Sequence, residues 1–279
     1  MGSGDSELVV LITGCTLGGI GHALAVAFAS KGCRVVATSR SLNSMEALDR
    51  TNAGIFLEEL DVSSPDSIDR AINSVMSRYG RIDVLVNNAG VHSVGPLAEL
   101  PLESLQSTFD TNVFGPMRVI QAVTPHMLKR RSGKIVNIGS VVALAPGPWA
   151  GAYSASKAAL HALTDTLRME LKGFNIDVIT VVPGGIKTNL ANNSLTSYSK
   201  LPEWKFYKPF EAAIQARTHA SQGKKCTPAE EFAEKTVTVV LRKNPPAWFS
   251  YGRYSTMFSI LYHVPLWVRD SLFRQIMKC

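Results

Sequence analysis

The chain lacks paired cysteines. Cys15, Cys33, Cys226 and Cys279 stand far apart among 279 residues, with no CxxC spacing. They do not group with the six histidines (His22, His92, His126, His161, His219, His263), and there is no HExxH. No protein-bound metal is therefore expected, and the thiols read as reduced, in an intracellular protein. A run long enough to cross a bilayer is also missing. The longest uncharged part of the apolar tail, Tyr254 to Val268, is 15 residues and contains His263 and Pro265, short of the ~20 a spanning helix needs. The net charge of +7 is not laid out as a basic stripe with interleaved aromatics, so no nucleic-acid partner is expected. Lys129-Arg130-Arg131 and Lys224-Lys225 read as solvated helix-end or loop charge. There is no repeat, low-complexity tract or linker. The polar start leads us to expect no secretory signal; Met1 to Ser6 fits the M-G-x-x-x-S myristoylation pattern but reads more simply as a plain polar start.

What is present is a steady alternation. Leu8–Ile12, Arg34–Thr38, Ile55–Leu60, Ile82–Val86, Lys134–Ile138 and Ile176–Val182 are short, β-branched-rich runs, as expected of strands buried on both faces. Helical patterns lie between them near 20–31, 65–79, 103–130, 153–173 and 228–242. Pro65 after Ser63-Ser64 and Pro228 after Thr227 mark helix starts. With 46% apolar residues, the chain suffices for one α/β domain, a Rossmann-like doubly wound parallel sheet with helices on both faces. Two stretches break the rhythm. Residues 186–227 form a long insertion, expected to be a substrate lid. Residues 245–279 form an apolar C-terminal extension, expected to pack on the domain, at a subunit contact or on a membrane surface.

The first strand runs into "TGCTLGGIGHALAVAF", with Gly14, Gly18, Gly19 and Gly21 between strand and helix. Glycines there let the backbone approach a pyrophosphate, whose charge sits at the helix N-terminus. After strand two, an NAD site would want Asp or Glu. The chain has Thr38-Ser39-Arg40-Ser41, a cation and hydroxyls suited to a 2′-phosphate, which points to NADP(H). Tyr153 and Lys157, four apart, share a helix face. A nearby ammonium would favour the phenolate and let Tyr153 act as acid or base near neutrality. Ser140, at the end of strand five, can offer a hydroxyl to the same substrate oxygen. Asn112, read alone, is a structural amide inside a helix.

In order along the chain, "TGxxxGGIG", "NNAG" (Asn87–Gly90), "TNVFG", "IGS", "YSASK" and "PGGIKT" (Pro183–Thr188) resemble the short-chain dehydrogenases/reductases. One glycine more than the usual loop leaves open by one position which glycine faces the pyrophosphate. The resemblance implies an NADPH-dependent reductase. Tyr153 would protonate a carbonyl oxygen and Ser140 would orient it, while Lys157 would hold the nicotinamide ribose and lower the Tyr153 pKa. Asn112 would anchor a water relaying protons to Lys157. In the cofactor cleft, Thr16 and Ile20 belong to the glycine loop, and Asp61 and Val62 would contact the adenine. Asn88, Ala89 and Gly90 would line the adenosine side. Ile186 and Thr188, after Pro183 and Gly184, would hold the carboxamide. A homodimer or homotetramer is implied.

His161 reads as a packing residue and His92 as a wall of the substrate cleft. The lid carries seven basic residues, Lys187, Lys200, Lys205, Lys208, Arg217, Lys224 and Lys225, against Glu203 and Glu211. It also holds Leu190, Leu195, Tyr198, Leu201, Trp204, Phe206, Tyr207 and Phe210. An apolar wall with a basic rim suits a hydrophobic ketone or alcohol with an anionic head. "GGIGHALA" and "YSASKAALHALTDTLRMEL" look most like the NADPH-dependent acyl-dihydroxyacetone-phosphate reductases, which are membrane-associated. That implies a cytoplasmic enzyme with peripheral contact at the endoplasmic reticulum or a lipid droplet. Reductases of steroids, retinoids or terpenoid-type metabolites share the pattern.

Overall fold

A computed structural model describes residues 7–49, 54–189, 195, 196, 198, 199, 201–223, 225–277 and 279. The Met1–Ser6 pattern, Leu190, Lys200 and Lys224 lie outside the described residues. The strands are β1 (Val9–Thr13), β2 (Arg34–Ser39), β3 (Ile55–Glu59), β4 (Val84–Asn87), β5 (Gly133–Ile138), β6 (Ile176–Pro183), the short β7 (Ile186–Lys187) and β8 (Thr227–Pro228), and β9 (Trp248–Tyr251). The helices are α1 (Ile20–Ser30), α2 (Glu46–Asp49), α3 (Pro65–Tyr79), α4 (Leu102–Phe109), α5 (Gly115–Arg130), α6 (Gly151–Leu171), α7 (Glu211–Thr218), α8 (Ala229–Val240), α9 (Ser255–His263) and α10 (Leu266–Met277).

Seven strands form one sheet in the order β3-β2-β1-β4-β5-β6-β9, parallel throughout. Both faces of β1 are buried, which is why its run VVLIT is apolar without alternation. On one face α1 and α8 pack through Phe28 and Phe232, both fully buried. On the other, α3 and α5 pack through Ile68, Val75, Val119 and Met127. Strand order reverses beside β1, which pairs with β2 on one side and β4 on the other. The carboxyl ends of the strands around that reversal open the crevice where such sheets bind ligands.

The structure departs from the sequence pattern in three places. The tail does not simply pack on the domain: Trp248–Tyr251 is a seventh sheet strand, pairing with β6 through Val181↔Phe249. Four partly exposed residues at a sheet edge make too short a run for periodicity to reveal. Beyond it α9 and α10 pack Leu261 and Phe273 against Ala145. Second, the helix expected over 103–130 is broken by one π turn, Asp110–Phe114, centred on Asn112. Third, the lid contains α7 and the β7–β8 pair. Its Trp204 and Ile214 are buried with Val94 and Trp149, and Tyr198, Leu201, Tyr207 and Phe210 pack around them.

Candidate active site

The glycine loop is held by its neighbours. Gly14 has φ +74°, and a Cβ there would come within 2.7 Å of Ala89 Cα. Asn88 Nδ2 donates to Thr13 O and Gly14 O, both at 2.9 Å. Thr13 Oγ1 accepts the backbone N–H groups of Asn88 and Ala89 at 3.1 Å each. Asn88 thus clamps the loop with its side chain while lining the cleft. The extra glycine is also accounted for. Gly18 turns toward Asn189, whose Nδ2 donates to Leu17 O at 2.9 Å. Gly19 is the N-cap of α1 with no side-chain cap and lines the cleft with Gly14, Thr16 and Ile20. The uncapped first turn of α1 offers its N–H groups to an anion. Gly21 lies behind the loop, where a Cβ would sit 2.4 Å from Gly14 O.

A cavity of about 500 Å³ runs from this loop to Tyr153. At its far end Arg40 is exposed. Beside it Ser39 Oγ lies 3.3 Å from Thr16 Oγ1 and 2.9 Å from Ser44 Oγ. Asp61 and Val62 line the same end. Burial opposes ionisation of Asp61, but the Ser63 N–H at 2.9 Å, the Ser63 hydroxyl at 2.7 Å and the charges of Arg40 and Arg118 hold its carboxyl below the usual range. A cation among three hydroxyls, beyond an uncapped helix start, fits a phosphorylated dinucleotide. Pro183 and Thr188 line the other end. Ile186 does not: its side chain is in the core, and its backbone pairs with Thr227. The Gly184 N–H donates to Tyr251 O at 2.9 Å.

At that end the first two turns of α6 bring Tyr153 and Lys157 to the end of β5, where Ser140 follows Ile138. The Ser140 hydroxyl, which accepts the Val142 N–H at 3.4 Å, is close enough to the Tyr153 phenol to favour its ionised form. Lys157 Nζ lies 5.9 Å from the Tyr153 ring centroid and donates to Ile138 O at 2.8 Å. Burial pulls Lys157 down to about 8. One expectation is corrected here. Tyr153 is pushed above the ordinary phenol value by burial, against the Ser140 hydrogen bond and the charge of Arg217. The cation offsetting burial at the phenol is thus Arg217 of the lid, while the ammonium of Lys157 is engaged with a carbonyl.

Asn112, in the π turn, is fully buried. Its Oδ1 accepts the Val91 N–H at 2.8 Å, and its Nδ2 donates to Val91 O at 2.9 Å and Ser156 Oγ at 3.0 Å. Both amide hydrogens are thereby committed to clasping the Gly90–Val91 loop to α6. Gly90 runs between Asn112 and Lys157, since a Cβ there would lie 3.2 Å from Asn112 Oδ1 and 3.6 Å from Lys157 Nζ. His92 packs edge-on against Tyr153 with ring centroids 4.6 Å apart, the wall position expected. Burial, with the Arg217 charge, pulls it down to about 3. His161 packs in the core as expected, yet its Nε2 also accepts the Ser140 N–H at 3.2 Å. No local pattern signals that contact, because it joins residues 21 apart.

Of the lid cations, Lys187, Lys205, Lys208 and Lys225 are exposed. Arg217 on α7 is half-buried, and its charge acts on Tyr153 and His92. Phe206, expected in the apolar wall, is exposed, and Tyr198, Trp204, Tyr207 and Phe210 pack together with Val94 and Trp149 instead of forming an open wall. A second cavity, about 600 Å³, lies among lid residues including Leu195, Tyr198, Trp204 and Glu211.

Fold and site together define a dinucleotide-binding α/β protein with a serine, a tyrosine and a lysine at one end of its cleft. The chain belongs to the short-chain dehydrogenase family, whose pattern matches residues 8–199. It is 38% identical over 245 residues to the short-chain dehydrogenase virD of Hypocrea virens, covering 87% of this chain and 82% of that one. It is 36% identical over 234 residues to the NADPH-dependent 1-acyldihydroxyacetone phosphate reductase of Schizosaccharomyces pombe, covering 82% of this chain and 77% of that one. The solved short-chain dehydrogenase of Streptomyces avermitilis matches with a TM-score of 0.81 at 29% identity, over 98% of each chain.

Proposed function

We propose that this oxidoreductase reduces the ketone of a hydrophobic substrate with NADPH, and that 1-acyl-dihydroxyacetone phosphate is such a substrate. The observation that carries the reading is the grouping of Ser140, Tyr153 and Lys157 at one end of a cleft whose other end carries Arg40. Bound there, the reduced nicotinamide supplies the hydride. The Tyr153 hydroxyl donates its proton to the carbonyl oxygen, which Ser140 Oγ orients by a hydrogen bond. Lys157 would hold the nicotinamide ribose, with Thr188 at the carboxamide. Asn112 keeps the Gly90–Val91 loop against the lysine and, with both amide hydrogens engaged, would hold the water that returns the proton through a carbonyl oxygen.

NADPH as donor is supported by Arg40 with its hydroxyls and by the NADPH-dependent relative. The lipid substrate is supported by that relative and by the apolar composition of residues 186–227. The same apolar residues favour a second reading, a steroid, retinoid or terpenoid-type ketone. Exposed Leu102, Phe114, Leu163 and Met169 suit a homodimer or homotetramer, and exposed Ile260, Tyr262, Leu266 and Trp267 on the C-terminal helices suit peripheral membrane contact. Among the described residues no helix is long and apolar enough to cross a membrane. The test is NADPH oxidation with 1-acyl-dihydroxyacetone phosphate beside steroid, retinoid and terpenoid ketones. Turnover of the acyl phosphate far above the others upholds the lipid reading. The reverse order installs the second.

A further inference from the structure

Arg217 occupies a place that the proton-transfer chemistry does not explain. Helix α7 is fixed to the domain by Ile214, which is fully buried in a cluster with Val94, Trp149 and Trp204. Val94 lies two residues beyond His92, and Trp149 four before Tyr153. The cluster that anchors the helix is therefore continuous in sequence with the two side chains at the reacting end. Arg217 follows Ile214 by three residues and shares its helix face, which carries the guanidinium toward them. Its charge acts on both Tyr153 and His92.

The guanidinium is poorly matched by the described residues. Among the described residues its buried Nε has no hydrogen-bond partner and the guanidinium forms no ion pair. The groups that its charge reaches, a phenol and an imidazole held neutral by burial, do not neutralise it. A guanidinium nitrogen withdrawn from water without a partner is costly, and a guanidinium presents a planar fork matched to a phosphate or carboxylate. The other described lid cations are exposed and lack this constraint.

We propose that Arg217 is a specificity-determining residue that receives an oxyanion of the substrate, phosphate or carboxylate, carried within a few bonds of the ketone. The short tether follows from the reach of that charge, which acts on the phenol that addresses the carbonyl, on a helix anchored among Val94 and Trp149. This inference rests on the reductase reading and names the part of the substrate that the lid selects. It separates two roles for lid charge: the exposed lysines lie at the outer surface, and Arg217 is the lid cation whose charge reaches Tyr153 and His92.

The experiment uses three ketones with the same acyl chain, bearing phosphate, carboxylate or hydroxyl on the carbon beside the carbonyl. They are assayed with NADPH on the wild-type chain, R217K and R217Q, with NADPH fluorescence enhancement confirming that each variant folds and binds cofactor. The wild type is expected to prefer at least one anionic ketone over the neutral one in kcat/KM. R217Q should reduce that preference by ~10- to 100-fold, the range for charge-assisted hydrogen bonds. The loss should appear chiefly in KM, and R217K should retain part of the preference. Which anion gains identifies the headgroup. Equal preference in wild type and R217Q overturns the inference and leaves the reductase reading standing. If none of the three ketones is reduced by wild type with NADPH bound, the reductase reading for such ketones fails, and this inference with it.

Discussion

His161 Nε2 accepts the backbone N–H of Ser140 at 3.2 Å, so helix α6 both supplies Tyr153 and Lys157 and holds the serine that completes the group. The contact is close-fitting, because a Cβ on Gly139 would lie only 2.0 Å from the same nitrogen. His161 is a positioning residue. Replacing it with Phe removes the acceptor and should lower kcat by up to ~10²-fold, the cost of misplacing a catalytic group by about 1 Å. KM and NADPH affinity should move little, and H161Q, which restores an acceptor, should recover part of the rate. A variant H161F with full kcat would refute the positioning role.

Acid should destabilise the fold through its buried imidazoles. Burial is the leading cause that takes His161 from 6.5 to about 4 and His92 from 6.5 to about 3, with the charges of Lys157 and Arg217 adding to it. A group whose folded pKa is depressed contributes stability present above its unfolded value and lost as pH falls through the folded one. For His161 that window runs from about 6.5 down to about 4. Thermal unfolding between these limits should show a falling midpoint, and the fall should be shallower in H161Q. Equal slopes in the two proteins would count against His161 as a source.

Removing the proton of the phenol is the direct test of the chemistry. Tyr153→Phe keeps the ring against His92 but deletes the hydroxyl that Ser140 meets. Reduction should drop by ~10²–10⁴-fold, typical for a general acid, with NADPH still bound. Near-normal turnover in Y153F would remove Tyr153 from the proton-transfer role.

Cofactor choice should turn on Arg40. In Arg40→Asp a carboxylate would stand beside the Ser39, Ser44 and Thr16 hydroxyls, repelling a 2′-phosphate and accepting from a 2′-hydroxyl. The NADPH/NADH ratio of kcat/KM should fall at least ~10-fold, through a change in KM for the cofactor. An unchanged ratio would locate cofactor discrimination elsewhere.

The sequence by itself determined the doubly wound sheet and the positions that meet at its crevice. Buried parallel strands must be apolar throughout, and a glycine loop between strand and helix has few other uses, so both leave marks in consecutive residues. Tyr153 and Lys157 were legible for the same reason: a helix converts a spacing of four into a shared face. Tertiary structure decided what depends on residues distant along the chain. Trp248–Tyr251 is a strand only because β6 offers a free edge. Asn112 is a clasp because a π turn aims it at Val91. Ile186 was expected at the carboxamide, yet its side chain went to the core. Arg217, one of seven basic residues in its segment by sequence, is brought to Tyr153 by the packing of Ile214 on Trp149. Burial then made it, and not Lys157, the charge that offsets the desolvation of the phenol.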